Sequence, residues 1–262
     1  MPETDSAPAI TYLVLATPRS GSTLLGQALN STDLAGDPRE HFGHKMAFWA
    51  RKWETPTLQA FVNRLMAERS TGNGVFGAKL LYGHLRNLER VARQEAVYRD
   101  LPLPEILDRL FPNLHYLWIT RDDTVRQAIS YWKAKETGIW GQEPARAGRT
   151  GQGRRQFVKG VRETGKTPAY DEQGIAALYR SILEEDAATE AYFREGGIAP
   201  MHVVYEQFVR DYEPTTRRML EFLGIAAPAD LVIGQPRTVR LADDTTDEWA
   251  ARFRDALAAG RV

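Results

Sequence analysis

Apolar residues are gathered into blocks along this chain. Four short runs are almost wholly apolar and rich in β-branched or aromatic residues: Ile10–Ala16, Val75–Leu80, His115–Thr120 and Met201–Tyr205. Helical stretches separate them, over Leu24–Leu29, Leu58–Ser70, Leu103–Leu110, Thr124–Glu136 and Gly174–Glu195. In the stretch from Thr124, the three- and four-residue spacing of Val125, Ala128, Ile129 and Trp132 makes an apolar stripe, with Arg126, Ser130 and Lys133 on a polar one. Strands that are apolar on both faces and separated by helices predict an α/β fold, a central parallel sheet flanked by helices in three layers. Such sheets bind ligands at the carboxyl ends of their strands. Polar residues placed there are therefore the first candidates for function.

One segment breaks the pattern. Residues 137–170 are Gly-, Arg- and Pro-containing with little periodicity, and Arg146 to Lys166 holds seven basic residues against one acidic, Glu163. A basic lid and a solvated excursion are equally consistent with that composition. The polar, acidic stretch Met1–Ala9 is expected to be disordered, and residues 1–262 to form one domain. The formal charge is zero, from 34 basic and 34 acidic side chains, which argues against a general attraction to nucleic acid or anionic membrane. The absence of cysteine excludes disulfides, thiolate nucleophiles and Cys-ligated zinc. No apolar run is long enough to span a bilayer and the N-terminus lacks a leader pattern, so a cytoplasmic location is expected.

The strongest chemical signal follows the first strand: Ala16-Thr17-Pro18-Arg19-Ser20-Gly21-Ser22-Thr23, leading into a helix. A tight turn at a helix start aims backbone N–H groups at one point, and the helix dipole adds positive potential there. Ser20, Ser22 and Thr23 add hydroxyls, and Arg19 adds a forked cation suited to phosphate or sulfate. Against the Walker pattern G-x-x-x-x-G-K-[ST], Ala16 replaces the first Gly and Ser22 replaces the Lys, which argues against ordinary nucleoside triphosphate hydrolysis. A simpler reading, a Ser-rich turn capping a helix, also fits these eight residues. After the third strand, Arg121 and Ser130, nine residues apart, are placed to converge on one ligand group. From the residues alone, Arg121 pairing with Asp122 or Asp123 and a solvated Ser130 is the plainer expectation.

Taken together, these motifs resemble the sulfotransferase superfamily that uses 3′-phosphoadenosine 5′-phosphosulfate (PAPS). The likeness extends through Ala35–Phe42, Val75–Leu80, Gln127–Trp132, Val204-Tyr205-Glu206 and Trp249–Phe253, and these segments are similar to the bacterial carbohydrate sulfotransferases. The resemblance runs from about Tyr12 to Arg254 and is weakest in the 137–170 segment. It implies a P-loop-like fold in which Pro18, Arg19, Ser20, Gly21, Ser22 and Thr23 hold the 5′-phosphosulfate and the Arg121/Ser130 pair holds the 3′-phosphate. It also implies sulfuryl transfer to a hydroxyl of a carbohydrate or glycolipid-type acceptor, leaving adenosine 3′,5′-bisphosphate, and a homodimer. Arg237, with Gln235 and Arg240, is carried over to the adenosine end of the donor.

For the proton acceptor, the resemblance points to Glu40, and the nearby Phe42, Phe48 and Trp49 would raise a carboxyl's pKa toward neutrality. A surface Glu40 paired with Arg39 is the alternative, and His41 is a rival base. Lys79, after the second strand, faces either the site or a surface partner. Trp49, Trp53 and Trp140 suit either sugar stacking or the core. No metal is expected: His41-x-x-His44 lacks an evident third ligand, and no acidic cluster suggests magnesium. Two other functions stand beside sulfuryl transfer: an ATP-dependent small-metabolite kinase with a degenerate P-loop, and a non-catalytic nucleotide-binding protein.

Overall fold

The structure, a computed structural model, describes residues 8–43, 45–140, 167–236 and 244–262. The expectations for the N-terminal stretch and the basic segment therefore fall largely outside the described residues, at 1–7 and 141–166. The chain divides into two compact units, Met1–Asp122 with Glu184–Gln235, and Asp123–Leu183 with Pro236–Val262.

The first unit holds the sheet. The apolar runs become β1 (Ile10–Ala16), β2 (Val75–Leu81), β3 (Leu114–Thr120) and β4 (Met201–Val204), all parallel, in the order β2-β1-β3-β4. The order turns at β1: its sequence successor β2 lies on one side and β3 on the other. In a parallel α/β sheet, that arrangement opens a crevice between the carboxyl ends of the two strands that flank the switch, here β1 and β3. The register Ala16↔Ile119 brings those ends level.

Side-chain alternation sorts the strands onto two cores. Leu13, Leu15, Phe76, Ala78, Leu80 and Tyr116 pack with α3 (Leu58–Arg69), α4 (Tyr82–Ala92) and α5 (Leu103–Leu110). Tyr12, Val14, Ala16, Leu117, Ile119 and Val203 pack with α1 (Ser22–Asn30) and α9 (Tyr212–Phe222) on the other face. These are the three layers expected. Helices α2 (Met46–Lys52) and α8 (Tyr205–Arg210) complete the unit, with the C-terminal half of α7 (Glu172–Glu195). Tyr205, read from the sequence as the last residue of the fourth strand, is instead the first residue of α8.

The second unit packs α6 (Thr124–Thr137), the N-terminal half of α7 and α10 (Asp244–Ala258) around Val125, Ala128, Ile129, Ile175, Ile182, Trp249 and Phe253. Asp123 caps α6 by accepting the Arg126 N–H at 3.0 Å, and Gly138 ends the helix in a left-handed conformation (φ 72). Trp132, expected in the buried stripe, is half-buried, whereas Gln127 is fully buried. A polar side chain inside is invisible to a rule that sorts faces by hydrophobicity alone.

Two features of the first unit constrain the sheet and what stands behind it. Tyr12, opposite Gly77 in the β1–β2 register, lays its ring over that glycine and donates its O–H to the Ala35 carbonyl at 2.6 Å. A Cβ on Gly77 would stand 2.3 Å from the ring. On α7, Asp186 hydrogen-bonds the fully buried Thr17, and its Oδ1 is buried with no hydrogen-bond partner among the described residues. Burial pushes this carboxyl up to about 6; the Thr17 bond opposes the shift and Glu185 adds to it.

Gly77→Ala should destabilise the protein by about 1–3 kcal/mol, the usual cost of overpacking, read as a lower urea midpoint; an unchanged midpoint would mean that Tyr12 moves aside freely. Asp186 has a folded-state pKa raised above its unfolded value of 3.8, so the folded state favours the proton. Its contribution is most favourable below about pH 4 and is lost as pH rises through about 6. Asp186→Asn should therefore gain stability relative to the parent across that interval, by roughly 1–3 kcal/mol at neutral pH. Parallel stability–pH curves for the two proteins would refute it.

Candidate active site

The loop that leaves β1 is closed by the Ser20 N–H, which donates to the Thr17 carbonyl at 3.4 Å. It passes through left-handed conformations at Arg19 (φ 66) and Gly21 (φ 94). Gly21 is required on two counts: its φ disfavours a side chain, and a Cβ there would lie 2.3 Å from Cδ2 of Tyr205. Helix α1 then starts at Ser22 with no side-chain cap and no acidic residue in its first turn, and its first backbone bond runs from the Leu25 N–H to the Gly21 carbonyl at 3.1 Å. The N–H groups of Ser22, Thr23 and Leu24 thus have no partner within the helix. Ser20 is fully buried, and its Oγ has no hydrogen-bond partner among the described residues. Leaving a buried hydroxyl so costs about 1–3 kcal/mol, and an oxyanion in the loop would recover it. Burial and, next, the Arg121 guanidinium lower the pKa of Arg19, so two cations are held close enough to repel each other. Orphan donors, a bare helix start and crowded cations together suit an oxyanion. The simpler reading of the octet as a self-capped turn does not describe this loop.

Glu40 is placed by an extension of the sheet. Arg39 makes one parallel bridge to Ala78 beyond the edge of β2, and the Lys79 N–H donates to the Arg39 carbonyl at 2.9 Å. Lys79 is buried (7% exposed), and its Nζ lies 3.0 Å from Glu40 Oε1 and 3.3 Å from Thr23 Oγ1. One ammonium therefore ties the carboxylate to the first turn of α1. Arg39 pairs with Asp37 at 2.7 Å, not with Glu40. The aromatics expected around Glu40 are otherwise engaged: Phe42 is fully buried in the core, Trp49 packs against that core, and Phe48 stands exposed. His41 stacks on Phe76 with ring centroids 6.2 Å apart, and desolvation lowers its pKa to about 4, partly offset by a bond to the Asp37 carbonyl. An imidazole stacked in this way serves packing.

At the end of β3, Arg121 lies over the Tyr205 ring, 5.0 Å from its centroid, with Nε 3.5 Å from Glu206 Oε1. The Asp122 N–H donates to Glu206 Oε2 at 3.0 Å. Arg121 therefore pairs with Glu206 and not with its sequence neighbours; Asp123 serves Arg126 and Arg254 in the second unit. Ser130 is half-buried on α6 in that same unit. Arg237, Arg240 and His44 lie outside the described residues. Trp53 lies tilted against Trp49 and packs against the core, and Trp140 is exposed beside Tyr131. Among the described residues, no cluster of three or more His, Cys, Asp or Glu is placed to hold a metal ion, and no helix is long and apolar enough to cross a membrane.

Sequence reasoning assigned no role to Tyr205, Glu206 or Asp186. The first two follow β4 directly, at the carboxyl end of a parallel strand, so the rule that drew attention to Arg19 and Arg121 applied to them as well. Asp186, mid-helix, carries no comparable signal.

Comparison with known proteins agrees with this geometry. The sequence profile described as Stf0 sulphotransferase matches residues 11–256. The chain is 29% identical to a trehalose 2-sulfotransferase of Mycobacterium tuberculosis, covering 93% of this chain and 94% of the relative. It is 28% identical to a trehalose 2-sulfotransferase of Mycolicibacterium smegmatis, with the same coverages of 93% and 94%. Among solved structures, a sulfotransferase from Alicyclobacillus acidocaldarius shares the fold at 17% identity, with a TM-score of 0.51 over 97% of this chain and 94% of that one. Sulfuryl transfer, not the kinase or binding-only alternatives, is the activity these matches support. With nearly its whole length matched, the chain belongs to the Stf0 sulphotransferase family.

Proposed function

We propose that this protein transfers a sulfuryl group from PAPS to a hydroxyl of a carbohydrate acceptor. The observation that carries the reading is the Lys79 bridge, 3.0 Å to Glu40 Oε1 and 3.3 Å to Thr23 Oγ1, which sets a carboxylate beside an anion cradle. When bound, the donor supplies an activated sulfuryl group for in-line transfer, a reaction akin to phosphoryl transfer. The chain's own groups do the rest. Ser20 Oγ, the N–H groups of Ser22 to Leu24 and the Arg19 guanidinium hold the 5′ end and offset its charge. Arg121 takes the 3′-phosphate, with Ser130 and Arg237 assigned to the same donor by the resemblance. Glu40 accepts the acceptor's proton at Oε2, while Lys79 at Oε1 fixes the carboxylate's direction.

The carbohydrate acceptor is supported by the two relatives, both trehalose 2-sulfotransferases. The same reading takes residues 1–262 as one sulfotransferase domain acting in the cytoplasm, with a homodimer implied by the resemblance.

Incubation with labelled PAPS and a panel of disaccharides and glycolipid precursors should yield a sulfated product by mass spectrometry, with no loss on adding EDTA. Failure to bind adenosine 3′,5′-bisphosphate while binding ATP well would end the reading. Glu40→Gln should lower kcat about a hundredfold or more yet leave the bisphosphate Kd unchanged in calorimetry. Arg19→Ala should lower kcat/KM for the donor roughly a hundredfold to a thousandfold, and parental kinetics in that variant would remove Arg19 from the site.

A further inference from the structure

The turn from β4 into α8 reaches both anion-binding segments through two adjacent residues. The Tyr205 ring lies against Gly21 of the β1 loop and beneath the Arg121 guanidinium at the end of β3. Glu206 places Oε1 at 3.5 Å from Arg121 Nε and accepts the Asp122 N–H at Oε2, 3.0 Å away. We propose that Glu206 is a positioning residue that aims Arg121 at the 3′-phosphate of the donor, an inference that rests on the PAPS reading above.

Three observations support the role. First, Glu206 is itself held, because the backbone bond from Asp122 fixes its carboxylate to the strand end that carries Arg121. Second, its contact is with Nε, the guanidinium nitrogen nearest the chain, at a separation of an ion pair and not of a close hydrogen bond. An arginine can grip phosphate end-on with its two outer nitrogens, and a carboxylate at Nε steers the group while leaving that grip open. Third, burial and, after it, the neighbouring Arg121 charge lower the pKa of Arg19, so the two guanidiniums repel each other. Without a carboxylate behind it, Arg121 has reason to swing away from the crevice. Tyr205 limits that swing from below through its face.

The test compares adenosine 3′,5′-bisphosphate with adenosine 5′-monophosphate, which lacks the 3′-phosphate, by calorimetric binding to the full chain. The parent protein should prefer the bisphosphate. Glu206→Gln, a near-isosteric change at a partly exposed side chain, should weaken bisphosphate binding about tenfold and leave monophosphate binding unaltered. In an Arg121→Ala background the same change should have no further effect. Equal weakening of both ligands, an unchanged preference, or a further loss without Arg121 would each overturn the inference while leaving the PAPS reading in place. A parent protein that shows no preference for the bisphosphate would instead overturn the assignment of Arg121, and this proposal with it. Unaltered monophosphate affinity also certifies that the variant is folded.

Discussion

The adjacency of β1 and β3 is the constraint on which the site depends. Both strands are parallel and in register, and the order β2-β1-β3-β4 leaves no strand between them. The loop after Ala16 and the residues after Thr120 must therefore leave the sheet side by side. Those segments carry Arg19 and Arg121, so the topology forces two guanidiniums together at the mouth of the crevice. Their mutual repulsion is a cost in the empty protein and an attraction for any ligand with negative charge at two points.

Other groups at the crevice act in the same direction. Helix α1 starts without a side-chain cap, Ser20 keeps a buried hydroxyl without a partner among the described residues, and Gly21 is packed under Tyr205. Each of these would be a defect in a purely structural loop. Grouped at one strand end, they describe a surface whose polar groups an anion would complete. Asp186, behind the loop through Thr17, shows how far the demands of this region extend into the core.

The loop also solves a problem its sequence poses. A Walker loop takes its cation from the Lys before the final Ser or Thr, and here that place is held by Ser22. Lys79 arrives from the neighbouring strand, and its ammonium reaches Thr23 Oγ1, the hydroxyl that follows the missing lysine. The same ammonium holds Glu40. One side chain thus links the anion cradle to the candidate base, and the link exists only because β1 pairs with β2 in the register Val14↔Lys79.

Much of this was readable from the chain alone. Runs such as Ile10–Ala16 are apolar at nearly every position, as expected of a strand buried on both faces, and the turn after it has the composition of an anion loop. The α/β class, the positions of the strands and the candidacy of Arg19 follow from such local signals, whereas Glu40 and Arg121 became candidates through the family resemblance. The partners of those residues do not. That Glu40 meets Lys79 and not Arg39, that Arg121 meets Glu206 and not Asp122, and that Thr17 meets Asp186 are contacts across large sequence separations, set by strand order and register. Periodicity reports which face of an element is buried; it carries no information about which other element arrives there, so the charges that complete each residue were decided by the tertiary fold.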